Sequence, residues 1–192
     1  MEEFDREDLL EIVRLGHPSL RTIADPVPTA VLGTPEFRRF ADQLIYTMIH
    51  AEGVGLASPQ VAEPLRCFAY FVPGDGEDNE VQPCVIVNPE IRSIGSEGEF
   101  GWEGCLSIPE LRGIVPRFGK IEVEGLDIEG NPLSFIAEGF HARVIQHEFD
   151  HLDGVIFLDR MEDMSSLAYE EEWLDYVIAP EGEDDDEWEE DE

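Results

Sequence analysis

Apolar residues recur with helical spacing in two segments of this 192-residue chain. From Pro35 to Glu52 they fall at i, i+3, i+4, i+7, i+8 and i+11, which predicts an amphipathic helix packed on a core. Thr34 is placed to cap the first turn of this helix, and Gly53 can end it. From Gly139 to Leu152 the apolar residues cover a wide stripe, which predicts a second helix that is largely buried.

Short apolar runs bounded by polar or glycine-rich stretches predict strands. These runs cover residues 66–72, 84–88, 94–100, 120–127 and 132–137. The last two flank residues 129–132, whose Gly, Asn and Pro predict a hairpin turn. Strands dominate the middle of the chain, and a helix follows them instead of alternating with them. This order predicts an α+β fold with mostly antiparallel sheets around a central helix.

Three further segments carry weaker patterns. Residues 53–60 contain two glycines and a proline, which predicts a loop or irregular edge and not a strand. Residues 155–158 predict one more short strand, and residues 164–178 predict a last helix. From Glu181 to Glu192 the chain is nearly all acidic, which is typical of disorder.

The chain has a net charge of −33, from 45 acidic and 12 basic residues. From Glu162 onwards sixteen residues are acidic and none is basic, and residues 1–161 still carry 29 acidic against 12 basic residues. Such a surface repels phosphates, which argues against direct DNA or RNA binding through a basic patch. The composition is typical both of high-salt adaptation and of ordinary solubility through repulsion, and the sequence leaves both open.

Length and a 42% hydrophobic content predict one domain, here residues 1–165, followed by an acidic extension over residues 166–192. No apolar run reaches membrane-spanning length, and the N-terminus lacks the regions of a secretory leader. Three cysteines (Cys67, Cys84 and Cys105) are too few for a secreted disulfide framework. We therefore predict a cytoplasmic protein without membrane contact.

The candidate chemistry lies in the second helix, where His147 and His151 are four residues apart and Glu148 follows the first. Positions i and i+4 share one face of a helix, so both imidazoles can bind one divalent cation. Glu148 can take a proton from a water on that cation. Because His147 points into the apolar stripe, the two histidines are expected to be buried. Buried polar rings need a partner, and a metal ion supplies one. The segment predicts hydrolytic metal chemistry.

A catalytic site of this kind needs a third protein ligand. Phe157 stands where metzincin proteases have a third histidine, which excludes that class. Glu171, in a triplet of glutamates, lies 20 residues past His151, where thermolysin-like proteases have a glutamate ligand. Cys105, preceded by Gly104, is the other candidate, because a thiolate binds zinc or ferrous iron tightly. The residue types alone leave Glu171 and Cys105 open.

Three segments, in this order, resemble the peptide deformylases: residues 53–60, 103–107 and 146–154. The resemblance extends from about Val13 to Met161. Ser58, where the family commonly has alanine, and the acidic C-terminal extension depart from the family pattern. The resemblance implies a hydrolase that removes the N-formyl group from the N-terminal formyl-methionine of newly synthesised proteins and releases formate.

The resemblance also implies the metal site. Cys105, His147 and His151 correspond to the ligands of one divalent metal, with ferrous iron as the native ion and zinc or nickel as substitutes. Glu148 corresponds to the general base. The implied partners are formyl-methionyl nascent peptides and, transiently, the ribosome, without DNA or membranes.

The remaining roles follow from the same resemblance. The side-chain amide of Gln60 and the backbone N–H of Leu106 correspond to the donors that stabilise the oxyanion. Backbone groups of Val54, Gly55 and Gly104 can pair with an extended peptide in the manner of an added strand.

An apolar pocket for the methionine side chain is expected at Phe140 and Val144, on the turns before the metal motif. The resemblance also implies an internal ion pair between Glu103 and Arg117, which would hold the loop that carries Cys105. A non-enzymatic metal-binding or interaction protein that works through its acidic tail remains the alternative.

Overall fold

The computed structural model describes residues 4–74, 80–95 and 98–179. The strands are β1 (Gly55–Ala57), β2 (Cys67–Val72), β3 (Val81–Ser93), β4 (Gly98–Cys105), β5 (Ile108–Phe118), β6 (Lys120–Leu126), β7 (Pro132–Glu138) and β8 (Ala168–Tyr169). The helices are α1 (Pro35–His50), α2 (Gly139–Leu152), α3 (Phe157–Arg160) and α4 (Glu170–Trp173), which continues as a π-helical segment, Leu174–Ile178. Short 3₁₀ turns occupy Arg6–Asp8, Pro18–Arg21, Thr29–Val31, Ser58–Val61 and Met164–Ser166.

The strands of the described residues form two antiparallel sheets. The larger has the order β1-β2-β3-β6-β7, and the smaller has the order β4-β5-β8. Helix α2 contacts strands of both sheets, including β1, β2, β5, β6 and β7. The predicted α+β class with antiparallel sheets is confirmed.

The larger sheet is covered on both faces, as β2 shows. Phe68 and Tyr70 belong to the apolar cluster that contains α2, whereas Cys67 and Ala69 belong to the cluster that contains α1. Successive strand residues point to opposite faces, so a strand covered on both sides is apolar throughout. This packing fixes α2 against the sheet.

Several predicted elements are confirmed. The Thr34 side chain accepts a hydrogen bond from the N–H of Phe37 at 3.3 Å and caps α1. This helix ends at His50, two residues before the predicted end. Helix α2 has the predicted bounds, and β6 and β7 form the predicted hairpin.

Other predictions of elements are wrong. Residues 53–60 were expected to contain no strand, yet Gly55–Ala57 pairs with β2. The strand expected at residues 155–158 is instead the start of helical turn α3, because the Asp159 carboxylate accepts the N–H of Ile156 at 2.9 Å. The strand expected at 94–100 lies further along, at β4.

The C-terminal extension is described as far as residue 179. Where one helix was expected over residues 164–178, the structure has a 3₁₀ turn, strand β8 and then helix from Glu170. The tail predicted to be disordered, residues 181–192, lies outside the described residues. Among the described helices, none is both long and apolar enough to cross a membrane.

Candidate metal centre

Three potential metal ligands meet where the end of β4 faces α2. Cys105 is the last residue of β4, and His147 and His151 lie one turn apart on α2. Their ligand atoms all lie within 4.8 Å of one another, and Cys105 Sγ is 3.3 Å from His151 Nε2. Donor atoms that bind one metal ion at about 2.0–2.3 Å lie at distances from one another comparable to these. Within the described residues, this metal-binding group includes Cys105 and not Glu171.

The electrostatics of the group fit a bound cation. Burial alone would lower the pKa of His147, but its hydrogen bonds to Cys105 and Glu103 raise it well above the ordinary value. The sulfur of Cys105 and the carboxylate of Glu103 thus favour positive charge at this ring, and a metal ion bound in place of the ring proton would supply it. Burial lowers the pKa of His151 well below its ordinary value, so this ring is neutral and offers a lone pair. A thiolate with two imidazoles is a donor set that suits zinc or ferrous iron.

Glu148 lies beside the ligands and is buried against β1. A Cβ atom added to Gly55 would come within 2.6 Å of Glu148 Cδ, so glycine is required for this close approach. The Oε2 atom of Glu148 is buried and has no hydrogen-bond partner among the described residues. Burial raises the pKa of Glu148 to about 7, which allows this carboxyl group to accept or release a proton near neutral pH.

Gln60 lies in the 3₁₀ turn Ser58–Val61, directly after β1. Its Oε1 accepts the backbone N–H of Ala57 at 2.7 Å, and this hydrogen bond fixes the orientation of the amide. The Nε2 atom then faces Cys105 Sγ at 3.4 Å and Ser107 Oγ at 3.2 Å. The amide donor is directed at the ligand cluster by the fold itself.

An ion-pair network supports His147. The carboxylate of Glu103 lies 2.9 Å from His147 Nδ1, so the other ring nitrogen is directed at the ligand cluster. The same carboxylate accepts two hydrogen bonds from Arg117, at 2.9 and 3.0 Å, which confirms the predicted pair. Arg143 contacts Glu103 at 2.9 Å, and Arg117 also donates to Asp150 at 2.6 Å. Burial alone would raise the pKa of Glu103, but the hydrogen bonds from His147 and Arg117 hold it well below its usual range.

A cleft of about 630 Å³ opens beside the metal centre. The residues predicted to bind substrate all line it: Val54, Gly55, Gly104, Phe140 and Val144. Val144 is buried, whereas Phe140 is 51% exposed and departs from the buried stripe expected for α2. The side chain of Phe140 is thus available for a ligand to cover.

The backbone groups in this cleft differ in availability. The carbonyl of Val54 already accepts the N–H of Phe71 at 3.0 Å, which leaves the second lone pair of this oxygen for a peptide. Gly55 is in register with Tyr70 of β2. Gly104 has no partner residue on β5, because the register between β4 and β5 shifts at this point.

The model of the polypeptide deformylase family matches residues 9–166 of the chain. The chain belongs to this family. Peptide deformylase 2 of Pseudomonas putida is 44% identical over 84% of this chain and 92% of its own length. Peptide deformylase 2 of Nostoc sp. is 43% identical over 88% of this chain and 96% of its own length.

Solved structures of deformylases have the same fold. A Met-Ala-Ser-bound class I type b peptide deformylase from Acinetobacter baumannii matches with a TM-score of 0.74 and 36% identity, over 80% of this chain and 98% of that one. The peptide deformylase of Thermotoga maritima matches with a TM-score of 0.72 and 38% identity, over 81% and 99% of the two chains.

Two residues of this deformylase's ion-pair network, Arg143 and Asp150, were not predicted from the sequence. They lie four residues before and three residues after His147, so they share its face of α2. Charged residues on the ligand-bearing face of a largely apolar helix indicate buried partners of opposite charge, and this pattern could have identified them.

The remaining histidines of the deformylase lie elsewhere. His17 and His50 are exposed. His141 stacks on Tyr70 and Phe135, with ring centroids 5.5 and 5.6 Å apart.

Proposed function

We propose that this deformylase hydrolyses the formyl amide at the N-terminal methionine of newly synthesised proteins and releases formate. One observation carries the proposal: three potential metal ligands lie together beside a buried carboxylate and a fixed amide donor, next to a cleft. Membership of the polypeptide deformylase family supports the same activity.

Cys105, His147 and His151 would hold one divalent metal ion in this proposal. The bound ion would supply Lewis acidity, which activates water at neutral pH and polarises a carbonyl oxygen. Glu103 fixes the ring of His147 through its Nδ1 atom, and this support orients the other ring nitrogen toward the metal ion.

Glu148 is the proposed proton carrier. Its unpartnered Oε2 can accept a proton from the attacking water, and a pKa of about 7 suits both uptake and release. Glu148 then donates that proton to the amide nitrogen as the carbon–nitrogen bond breaks. The products are formate and a free N-terminal amine.

Gln60 and Leu106 are the proposed donors to the developing oxyanion. The Nε2 atom of Gln60 is already held by the Ala57 contact to Oε1, so little reorganisation is needed during the reaction. The backbone N–H of Leu106 would supply the second donor, directly after Cys105 in the chain.

The rest of the substrate would lie extended in the cleft, paired with backbone groups of Val54, Gly55 and Gly104. Phe140 and Val144 would contact the methionine side chain. Binding through backbone groups tolerates many sequences beyond the first residue. The Met-Ala-Ser complex of the Acinetobacter baumannii enzyme supports peptide binding by this fold.

Ferrous iron is the proposed native metal, with zinc or nickel as substitutes. A thiolate beside ferrous iron is prone to oxidation, which favours a reducing compartment. The three cysteines, all free, fit that setting. We therefore propose that the protein works in the cytoplasm and meets its formylated substrates during transient contact with the ribosome.

Formate release tests the proposal. Protein loaded with ferrous iron and kept anaerobic should release formate from a formyl-methionyl tripeptide, together with one free amine per formate. Loaded protein that releases none would support the metal-binding alternative. If Glu171→Ala removed the metal and Cys105→Ala did not, a thermolysin-like site would replace the proposed one.

A further inference from the structure

The C-terminal segment just beyond the family match reaches the substrate cleft. Strand β8 (Ala168–Tyr169) is in antiparallel register with Leu111 and Arg112 of β5. The N–H of Ile114 donates to Ser166 Oγ at 3.1 Å and ties the preceding turn to the same strand. The domain boundary at residue 165 stays a prediction, but residues directly after it pack along a cleft-forming strand.

Glu170, the first residue of α4, holds the side chain of Arg112. Its Oε1 accepts hydrogen bonds from Arg112 Nε, at 3.1 Å, and from Arg112 Nη2. Trp173 lies 5.7 Å from the guanidinium carbon of Arg112, and its ring is 5.8 Å from that of Trp102. The guanidinium is thus fixed by a carboxylate and an aromatic face. Trp102, Arg112 and Glu170 all line the cleft.

The remaining donors of Arg112 are close to the proposed path of the peptide. Its Nη1 atom has no hydrogen-bond partner in the described part of the chain. A Cβ atom added to Gly104 would lie 2.8 Å from Arg112 Cζ and closer still to Nη1. Gly104 is also the cleft residue that has no partner on β5. Nη1 therefore offers its N–H groups where a peptide carbonyl would pass.

We propose that Glu170 is a positioning residue for substrate binding, which holds Arg112 so that Nη1 donates to a backbone carbonyl beyond the first residue of the peptide. The inference rests on the proposed deformylation. Without the Glu170 carboxylate, Arg112 keeps its charge and loses its fixed direction. Binding of longer peptides should weaken, while a substrate that ends after methionine should be unaffected.

Two substrates and two matched variants test this role. KM and kcat are measured on formyl-Met-Ala-Ser and on formyl-methionine amide, for the wild type, Glu170→Gln and Glu171→Gln. Glu171 is the exposed neighbour, and its substitution removes the same charge. We expect Glu170→Gln to raise KM for the tripeptide about fivefold, the effect of one hydrogen bond, with kcat within about twofold. KM of Glu170→Gln for the amide should stay at the wild-type value. Glu171→Gln should leave KM unchanged for both substrates.

Glu170→Asp, which keeps the charge, should recover most of the tripeptide affinity. The binding of the product Met-Ala-Ser, measured by calorimetry, should weaken in Glu170→Gln by the same factor as KM rises. If Glu170→Gln failed to fold, Arg112→Lys would take its place, because it retains the charge and loses the fixed N–H fork. It should show the same substrate-dependent loss.

An active wild type with an unchanged Glu170→Gln would refute the positioning role alone. An equal loss on both substrates would refute it too, because that pattern indicates a general structural effect. If the wild type released formate from neither substrate, the proposed deformylation would fail and the inference with it.

Discussion

At the scale of single residues, the position of Glu148 depends on the absence of a side chain at Gly55. Gly55 belongs to β1 and is in register with Tyr70 of β2, so its backbone cannot move away without disturbing the sheet. Any side chain added at this position must therefore displace the Glu148 carboxylate, the flexible member of the pair. Sequence spacing identified Glu148, but only the fold shows why glycine stands opposite it.

We expect Gly55→Ala to lower kcat for formate release by about 10²-fold, because a displacement of roughly 1 Å in a positioned group can cost that much. Glu148→Gln, which removes the proton carrier, sets the lower limit of activity. Gly98→Ala is the control, because the nearest atom to an added Cβ there is at 3.4 Å, an ordinary contact. Wild-type kcat in a folded Gly55→Ala protein would contradict the steric argument.

At the scale of elements, a network of charges that is buried except for Arg160 joins four pieces of the fold. Glu103 on β4 pairs with Arg117 on β5, and Arg117 pairs with Asp150 on α2. Asp150 also accepts hydrogen bonds from Arg160 on α3, at 2.6 and 3.0 Å. The network fixes the metal-binding helix relative to the strand that carries Cys105. Its removal should affect both folding and metal binding.

Glu103→Gln should lower the free energy of unfolding by about 3 kcal/mol, because it leaves a buried guanidinium without its full charge partner. Urea unfolding in excess chelator measures this effect without the contribution of the metal. The support of His147 is lost as well, so metal affinity should fall about 10- to 100-fold in a chelator competition.

Glu122→Gln is the control for this change. The Glu122 carboxylate lies 4.0 Å from Arg92, and both side chains are exposed. The free energy of unfolding of Glu122→Gln should therefore stay within about 0.5 kcal/mol of the wild-type value. If Glu103→Gln bound metal as tightly as Glu122→Gln, the network would have no role in holding His147.

Some elements were predictable because their pattern is local. Helix α2 has its apolar stripe and its metal motif within fourteen residues, and the predicted bounds match. Strands β1 and β8 have three and two residues, too few for a periodic pattern, and exist because β2 and β5 pair with them. In the same way, the contact of Glu170 with Arg112 depends on the pairing of β8 with β5, and no local sequence pattern predicts it.

At the scale of the whole molecule, negative charge is far in excess. Among the described residues, Lys120 and nine arginines lie within 4.0 Å of carboxylate oxygens. Most of the 12 basic residues are thus already paired, while the chain carries 45 acidic residues. The unpaired carboxylates repel one another, and this repulsion destabilises the compact state.

Added salt should therefore stabilise the protein. Raising sodium chloride from 0.1 to 1 M shortens the Debye length from about 10 to about 3 Å. If screening recovers about 2 kcal/mol, the thermal midpoint rises by about 4–8 °C for a chain of this size, as scanning calorimetry would record.

A chain that ends at Pro180 lacks ten carboxylates and should gain less from the same salt. A midpoint that falls or stays constant would contradict this account of the surface.

The dependence of the thermal midpoint on salt concentration separates two causes of a rise. Screening is nearly complete once the Debye length is shorter than the spacing between charges, so its effect levels off. Stabilisation through exclusion of salt from the protein surface would continue to increase with concentration.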